Sequence, residues 1–285
     1  MKVRRIQRFI RGVSAATLIG FSGFLSTPVN AAHEHIYALQ YGGLYLFDFY
    51  SDAPQSIQTA YQITGLQFGE SIHGIDFWDG TIYGLGSSSR LYTIDPNTGA
   101  ATQVGSGQFS TILNGFTFGV DNDASGFRAV SGNGQNLLIS RTTGTVMSSG
   151  PNIVSPARLD ALAHDDASGI WYGGDTLANT FGTLNPATGL YSTIGLAGID
   201  VARYNGLDVS PYTGIMYLDT PAASSDPQAN FYTVDKLTGF ALLMGQIGNP
   251  GDNILVQGLT VVPEPSSIAL LTLGALGLLF VRRQG

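Results

Sequence analysis

The sequence predicts an all-β fold: a β-propeller of five four-stranded blades, the first blade closed by a C-terminal strand. Three observations predict it. A strand–turn–strand unit, RLYTIDPNTGAATQVG at residues 90–105, recurs as FGTLNPATGLYSTIG from Phe181 and FYTVDKLTGFALLMG from Phe231, with a worn copy, LLISRTTGTVMSSG, from Leu137. The turn of that unit falls at Thr98-Gly99, Thr143-Gly144, Thr188-Gly189 and Thr238-Gly239, in steps of 45, 45 and 50 residues. A period of that length holding four short strands is the signature of a propeller. Glycine is abundant, 38 of 285 residues, and no stretch between the two ends keeps a long 3.6-residue apolar period, which argues against helices.

Within the unit, LYTID carries the β-branched and aromatic residues that suit a packed, pleated surface. Pro96 pre-sets φ and Gly99 accepts positive φ, so the chain reverses there. We name the strands of each blade a to d from the channel outwards. The a strands are expected at GIDF from Gly74, GFTF from Gly115, a segment near residues 160–164, GLDV from Gly206 and GLTV from Gly258. The b strands are IYAL from Ile36, TIYGL from Thr81, GFRAV from Gly126, GIWYG from Gly169 and GIMYL from Gly214. The c strands are LYLFD from Leu44, RLYTID from Arg90, NLLIS from Asn136, FGTLN from Phe181 and FYTVD from Phe231; the d strands are SIQTAYQI from Ser56 and segments near Ala101, Thr145, Tyr191 and Ala241.

Nothing before Ile36 serves as an a strand for the first blade, and one a strand, at residues 258–261, is left over at the far end. Pairing the two closes the ring and removes exposed sheet edges. The strands read apolar on both faces, as blades packed between two neighbours require. The a–b turns are WDG at Trp78, DNDASG at Asp121, HDDASG at His164 and SPYTG at Ser210, all rich in turn formers. Residues 220–230 form the longest polar insertion and are expected to be a surface loop.

Charge narrows the function classes. Between His33 and Val262 six basic residues stand against 19 acidic ones, a net of −13. Nucleic acid is excluded as a partner, since its binding needs a basic face, and docking on anionic lipid is disfavoured. The chain has no cysteine, which excludes disulfides, a thiolate nucleophile, cysteine-ligated zinc and an N-terminal bacterial lipid anchor. A body of this size buries enough core to stand without disulfides.

The ends read as processing signals. In residues 1–31, Lys2, Arg4, Arg5, Arg8 and Arg11 precede a short apolar run, and the small residues Val29 and Ala31 place a signal-peptide cleavage between Ala31 and Ala32. Residues 33–262 are then the propeller and residues 263–285 a tail. In the tail, Pro263-Glu264-Pro265 is stiff and extended. An apolar run, IALLTLGALGLLFV at residues 268–281, follows as a short transmembrane segment, and Arg282-Arg283 would hold its end on the cytoplasmic side.

This order resembles the PEP-CTERM sorting tail, with Pro263, Glu264, Pro265, Arg282 and Arg283 matching its motif residue by residue. The resemblance implies an exosortase, a membrane transpeptidase-like protease, as partner, together with the Sec translocon. It implies a Gram-negative bacterium that makes exopolysaccharide, a transient inner-membrane anchor and a final place in the cell envelope or extracellular matrix. The body, from about His35 to Val261, also resembles a family of secreted bacterial domains of unknown function. That likeness rests on ITGLQFGESIHGIDF from Ile63, YGLGSSSRLYTIDPNTGAATQVG from Tyr83 and GQNLL from Gly134, and it implies no activity.

Candidate chemistry is sparse. Asp76, Thr117, Asp208 and Thr260 fall at one step of their a strands and are expected to line the channel; Asp160 has an open register. Gathered carboxylates could serve as acid and base of a glycosidase, but the favoured expectation is that they bond inner-strand backbone or hold channel water. Asp121–Gly126 looks like the first half of a calcium loop, yet position 12 is Gly132, where a bidentate Glu is needed. The repeat of that turn at His164 favours a structural hairpin. His33, His35, His73 and His164 lack zinc-site spacing. No G-x-S-x-G elbow and no phosphate-binding glycine loop before a helix occur. Trp78, Trp171 and Tyr172 stand near a–b turns, where rings stack on sugars or pack between blades; packing is the expectation.

The function expected is that of an exported, non-enzymatic binding or structural module, with no catalytic residue, cofactor or metal, and with polysaccharide or another matrix component as partner. The alternative is a glycan-active hydrolase or lyase using Asp76 and Asp208. A plain protein-interaction scaffold is the third.

Overall fold

The structure is a computed structural model that describes residues 33–154, 157–221 and 228–262. Among the described residues the strands run in chain order as β1 (His35–Gln40), β2 (Tyr45–Tyr50), β3 (Thr59–Gln62), β4 (Ile72–Trp78), β5 (Thr81–Gly86), β6 (Arg90–Ile94), β7 (Ala101–Val104), β8 (Phe118–Asp123), β9 (Gly126–Ser131) and β10 (Asn136–Ile139). They continue as β11 (Val146–Ser149), β12 (Leu159–Asp165), β13 (Ile170–Asp175), β14 (Thr180–Asn185), β15 (Leu190–Leu196), β16 (Gly206–Val209), β17 (Met216–Pro221), β18 (Ala229–Val234), β19 (Ala241–Gln246) and β20 (Val256–Val262). These form five antiparallel sheets of four, and the first has the order β20-β1-β2-β3. The inner strands touch in the cycle β4, β8, β12, β16, β20 and back to β4. The fold is a five-bladed β-propeller, and β20 supplies the strand that β1 lacks, with Tyr37 opposite Thr260.

Alternation explains how each blade packs twice. In blade five, Met216 and Leu218 join Tyr172 and Phe181 of blade four. Tyr217 and Phe231 turn the other way and join Phe47 and Phe49 of blade one. The Phe231 ring lies edge-on to Phe49 at 5.1 Å and stacks on Tyr217 at 5.2 Å. Each fully buried side chain of this kind contributes about 1.5–3 kcal/mol. The seam between blades five and one is also clasped by Glu34, which accepts hydrogen bonds from Ser210, Thr213 and Tyr217.

The Thr-Gly turns have a double requirement. Gly99, Gly144, Gly189 and Gly239 all have φ between 63° and 76°. A Cβ on Gly144 would lie 2.1 Å from the Val104 carbonyl oxygen, and one on Gly189 would lie 2.3 Å from that of Asn152. Each c–d turn thus presses on the outer part of the blade before it, and only glycine fits both the φ and the gap.

Two expected elements move. The a strand of blade three is Phe118–Asp123, not the segment from Gly115. β8 pairs with β9 through Asp121↔Arg128 and Asp123↔Gly126, so the a–b hairpin is two residues long and DND belongs to the strand. The polar insertion expected at residues 220–230 is shorter, because Thr220↔Asn230 and Pro221↔Ala229 are paired strand residues and Thr220 is buried. Cleavage at Ala31 and Ala32, the sorting residues Pro263, Glu264, Pro265, Arg282 and Arg283, and the apolar run at 268–281 lie outside the described residues. Among the described residues no helix is long and apolar enough to cross a membrane.

Candidate functional site

The a strands share a small–apolar pair, followed in four of the five by a polar residue: Gly74-Ile75-Asp76, Gly119-Val120-Asp121, Ala161-Leu162-Ala163, Gly206-Leu207-Asp208 and Gly258-Leu259-Thr260. The middle residues join the inter-blade cores. The small residues let five inner strands converge. A Cβ on Gly119 would lie 2.6 Å from Ala161 backbone, and one on Gly206 would lie 2.2 Å from the Leu259 amide nitrogen. The throat at this level encloses only about 10 Å³, at the lower limit for a single water.

In four of the five blades the third residue makes a hydrogen bond across the seam to the next blade, and the four together form an incomplete ring. Asp76 accepts the Asn122 backbone N–H at 3.0 Å and its Nδ2 at 2.8 Å. Asp121 accepts the His164 N–H at 2.7 Å. Asp208 accepts the Val261 N–H at 2.7 Å, and Thr260 Oγ1 accepts the Phe77 N–H at 2.9 Å. Blade four, with Ala163, is the one position whose side chain has no such acceptor. The hydroxyl of Thr260 also stands between two carboxylates, 3.0 Å from Asp76 and 3.2 Å from Asp208.

Asp76, Asp208 and Thr260, expected at one step of their strands, stand together in this ring, and Thr117 does not. Thr117 lies before β8 and donates to Asp160 at 2.7 Å. Asp160 lies at another step, is bonded also by Thr176 at 2.7 Å, and does not join the ring. The missed member is Asp121, read as a turn residue. Its signal was Gly119-Val120-Asp121, which repeats Gly74-Ile75-Asp76 four residues after Gly115, where the sequence suggests the start of the pattern.

One oxygen of each of Asp76, Asp121 and Asp208 lies within 4.8 Å of the others, and all three residues are buried. Burial raises all three carboxyl pKa values above the ordinary range; mutual repulsion adds to the rise at Asp121 and Asp208, which go well above it. Three such oxygens are a donor set for a hard cation. The alternative is that protons neutralise them, as the raised pKa values favour. The cavity they share with Trp78, His164 and Pro211 holds about 30 Å³, room for one or two waters and not for a sugar ring.

The turn at Asp123 is a hairpin, with its carboxylate accepting the Ser125 and Gly126 N–H groups at 2.7 and 3.0 Å. Trp171 and Tyr172 are buried between blades, and Arg141 covers the Trp78 ring at 4.4 Å while donating to Asn122 Oδ1 at 2.9 Å. These aromatic side chains are thus packed or capped.

Residues 45–260 match the family described as Domain of unknown function (DUF4394). The chain belongs to that family. Residues 261–284 of this DUF4394 protein match the PEP-CTERM protein-sorting motif. The motif implies a protein exported through the Sec system, processed by an exosortase and bound for the cell envelope or extracellular space. Among solved structures, the fold is similar to a protein of unknown function from Bacteroides caccae, with 9% identity over 82% of this chain and 100% of that one and a TM-score of 0.44. It is also similar to a nidogen/laminin complex, with 13% identity over 81% and 98% of the two chains and a TM-score of 0.46. A structural genomics protein of unknown function from Bacteroides thetaiotaomicron shares 14% identity over 74% of this chain and 55% of its own, with a TM-score of 0.48. No curated protein matches the sequence.

Proposed function

We propose that this DUF4394 propeller is a non-enzymatic binding or structural module of the envelope or extracellular matrix, held transiently in the inner membrane by residues 268–281 before its tail is processed. The observation that carries this reading is the state of the channel carboxylates. Asp76, Asp121 and Asp208 are each committed to a neighbouring blade's backbone N–H, beside a cavity of about 30 Å³. A glycosidase needs its two carboxyl groups to flank a substrate bond, and a group that holds a seam together is not free to do so. The ring serves closure of the propeller instead.

The test has two arms. The mature protein, incubated with neutral and uronate-bearing polysaccharides, is expected to release no reducing ends and no unsaturated products. Product formed by the wild type and abolished in Asp76→Asn would establish the hydrolase or lyase and overturn the module. In cells, fractionation is expected to place the protein in the envelope or medium, with the tail removed only where an exosortase is active. A cytoplasmic mature protein would overturn that placement.

A further inference from the structure

The propeller has two unlike faces. The a–b and c–d turns form one, near the carboxylate ring. The b–c turns and d–a connections form the other, and there the channel mouth is lined by His73, Phe116, Thr117, Arg203, Tyr204 and Asn205, among others. Phe116 is 89% exposed. The Tyr204 ring meets Tyr41 edge-on at 4.4 Å, and both rings remain open to solvent. Rings of this size bury 150–250 Å² when they serve a core; these three stand at an opening instead.

A second observation comes from the floor of the mouth. Asn205 is 3% exposed and lines both the mouth and the throat. Its Nδ2 donates to the Ala202 carbonyl, while its Oδ1 has no hydrogen-bond partner. A buried acceptor left unmatched is costly, so the site calls for a donor from outside. The His73 ring lies tilted against Phe118 at 5.2 Å, and burial lowers its pKa, which keeps the ring neutral at pH 7.

We propose that this mouth binds a neutral saccharide chain, an inference that rests on the propeller being a binding module. A sugar ring offers what the mouth lacks: a flat C–H face for Phe116 and for the Tyr41–Tyr204 pair, and a hydroxyl donor for Asn205 Oδ1. Arg203 supplies a donor to a sugar oxygen. The acidic body, with its net of −13, repels a polyanion, so the chain bound is uncharged. Topology suits this role. His35 pairs with Val262, so the described chain begins and ends on the opposite face. A protein held through its tail leaves this mouth unobstructed.

Isothermal titration calorimetry on the mature protein tests the proposal, with hexasaccharides of glucose, mannose and N-acetylglucosamine as probes and a polyuronate and an aromatic-rich peptide beside them. At least one neutral hexasaccharide is expected to bind. Phe116→Ala/Tyr204→Ala, which alters exposed rings only, is expected to weaken it tenfold or more, as is Asn205→Leu. Leu242→Ala, on the outer strand of blade five, is expected to change nothing. Undiminished binding in Phe116→Ala/Tyr204→Ala would overturn the site and leave the binding module standing. Binding only to the polyuronate or the peptide would overturn the ligand class. Binding to none of the probes would overturn the proposal and leave the structural role.

Discussion

Asp121 of the third blade accepts the backbone N–H of His164 in the fourth at 2.7 Å, across a seam that no strand pairing bridges. The same bond recurs from Asp76 to Asn122 and from Asp208 to Val261. Inner strands of neighbouring blades converge without sharing a ladder, so their inward N–H groups need side-chain acceptors. Removing one leaves a buried donor unmatched, at about 1–3 kcal/mol. Asp121→Ala and Asp208→Ala are therefore expected to lose about that much stability in urea unfolding. Asp121→Asn keeps an acceptor and is expected to lose less. Equal losses for Ala and Asn would show that charge, not the seam bond, matters there.

The fold was legible because the repeat carries its own frame: the Thr-Gly turn needs glycine in blades two to five, so its period survives where the strands diverge. The closing strand was legible for the same reason, as a surplus G-x-T-V at Gly258. Register within blade three was not. Gly115-Phe116-Thr117-Phe118 imitates an a strand, and the true strand begins three residues later. That slip concealed Asp121 from the ring. The mouth was less legible still, because Tyr41, Phe116 and Tyr204 come from three separate connections and nothing in their local sequence unites them.

The ring also links stability to pH. The folded-state pKa values of Asp76, Asp121 and Asp208 are raised above the ordinary value of 3.8 by burial. The folded state then binds more protons than the unfolded chain above that pH. Their contribution is fully present below about pH 3.8 and is lost as pH rises through the raised values. Asp48 works the other way. Burial pushes it up, but hydrogen bonds from His35 and Thr59 outweigh burial and hold it low, so its contribution is lost in acid. The melting temperature of the wild type is expected to fall from pH 5 to pH 8, and Asp121→Asn/Asp208→Asn is expected to flatten that fall. An unchanged slope in the double variant would refute the assignment.

Asp219 is a separate case. It is fully buried on β17, and neither carboxylate oxygen makes a hydrogen bond of normal geometry. Burial raises its pKa well above the usual carboxylate range, opposed only by the Gly206 amide. Ionising it costs folding free energy, and the Gly206 amide offsets only part of that cost. Asp219→Asn is expected to raise stability at pH 8 and to have little effect at pH 4. Destabilisation at pH 8 in chemical denaturation would mean that the charged form has a partner.

Glycine positions separate strain from crowding. Gly169 has φ +71° but open space around a Cβ, whereas Gly144 has φ +63° and would place its Cβ 2.1 Å from the Val104 carbonyl oxygen. Gly169→Ala is expected to cost about 1 kcal/mol, from backbone conformation alone. Gly144→Ala is expected to cost clearly more, because the third blade's c–d turn must also move off the second blade. Equal costs by thermal unfolding would remove the close approach as a cause.

Closure sets where the chain tolerates cutting. β20 contributes Val256, Leu259 and Val261 to the core between blades five and one. It also contributes Thr260 to the ring, where the hydroxyl bonds both Asp76 and Asp208. Ending the chain after Val262 removes only residues beyond β20 and is expected to leave the melting temperature unchanged, which is what processing of a sorting tail demands. Ending it after Asn253 deletes the strand, exposes the edge of β1 and leaves the Phe77 N–H without its acceptor. That truncation is expected to lose cooperative unfolding, and the peptide of residues 254–262 added in trans is expected to restore part of it. A cooperative transition in the shorter chain alone would show that four blades and an open fifth suffice, and that the ring does not depend on its last strand.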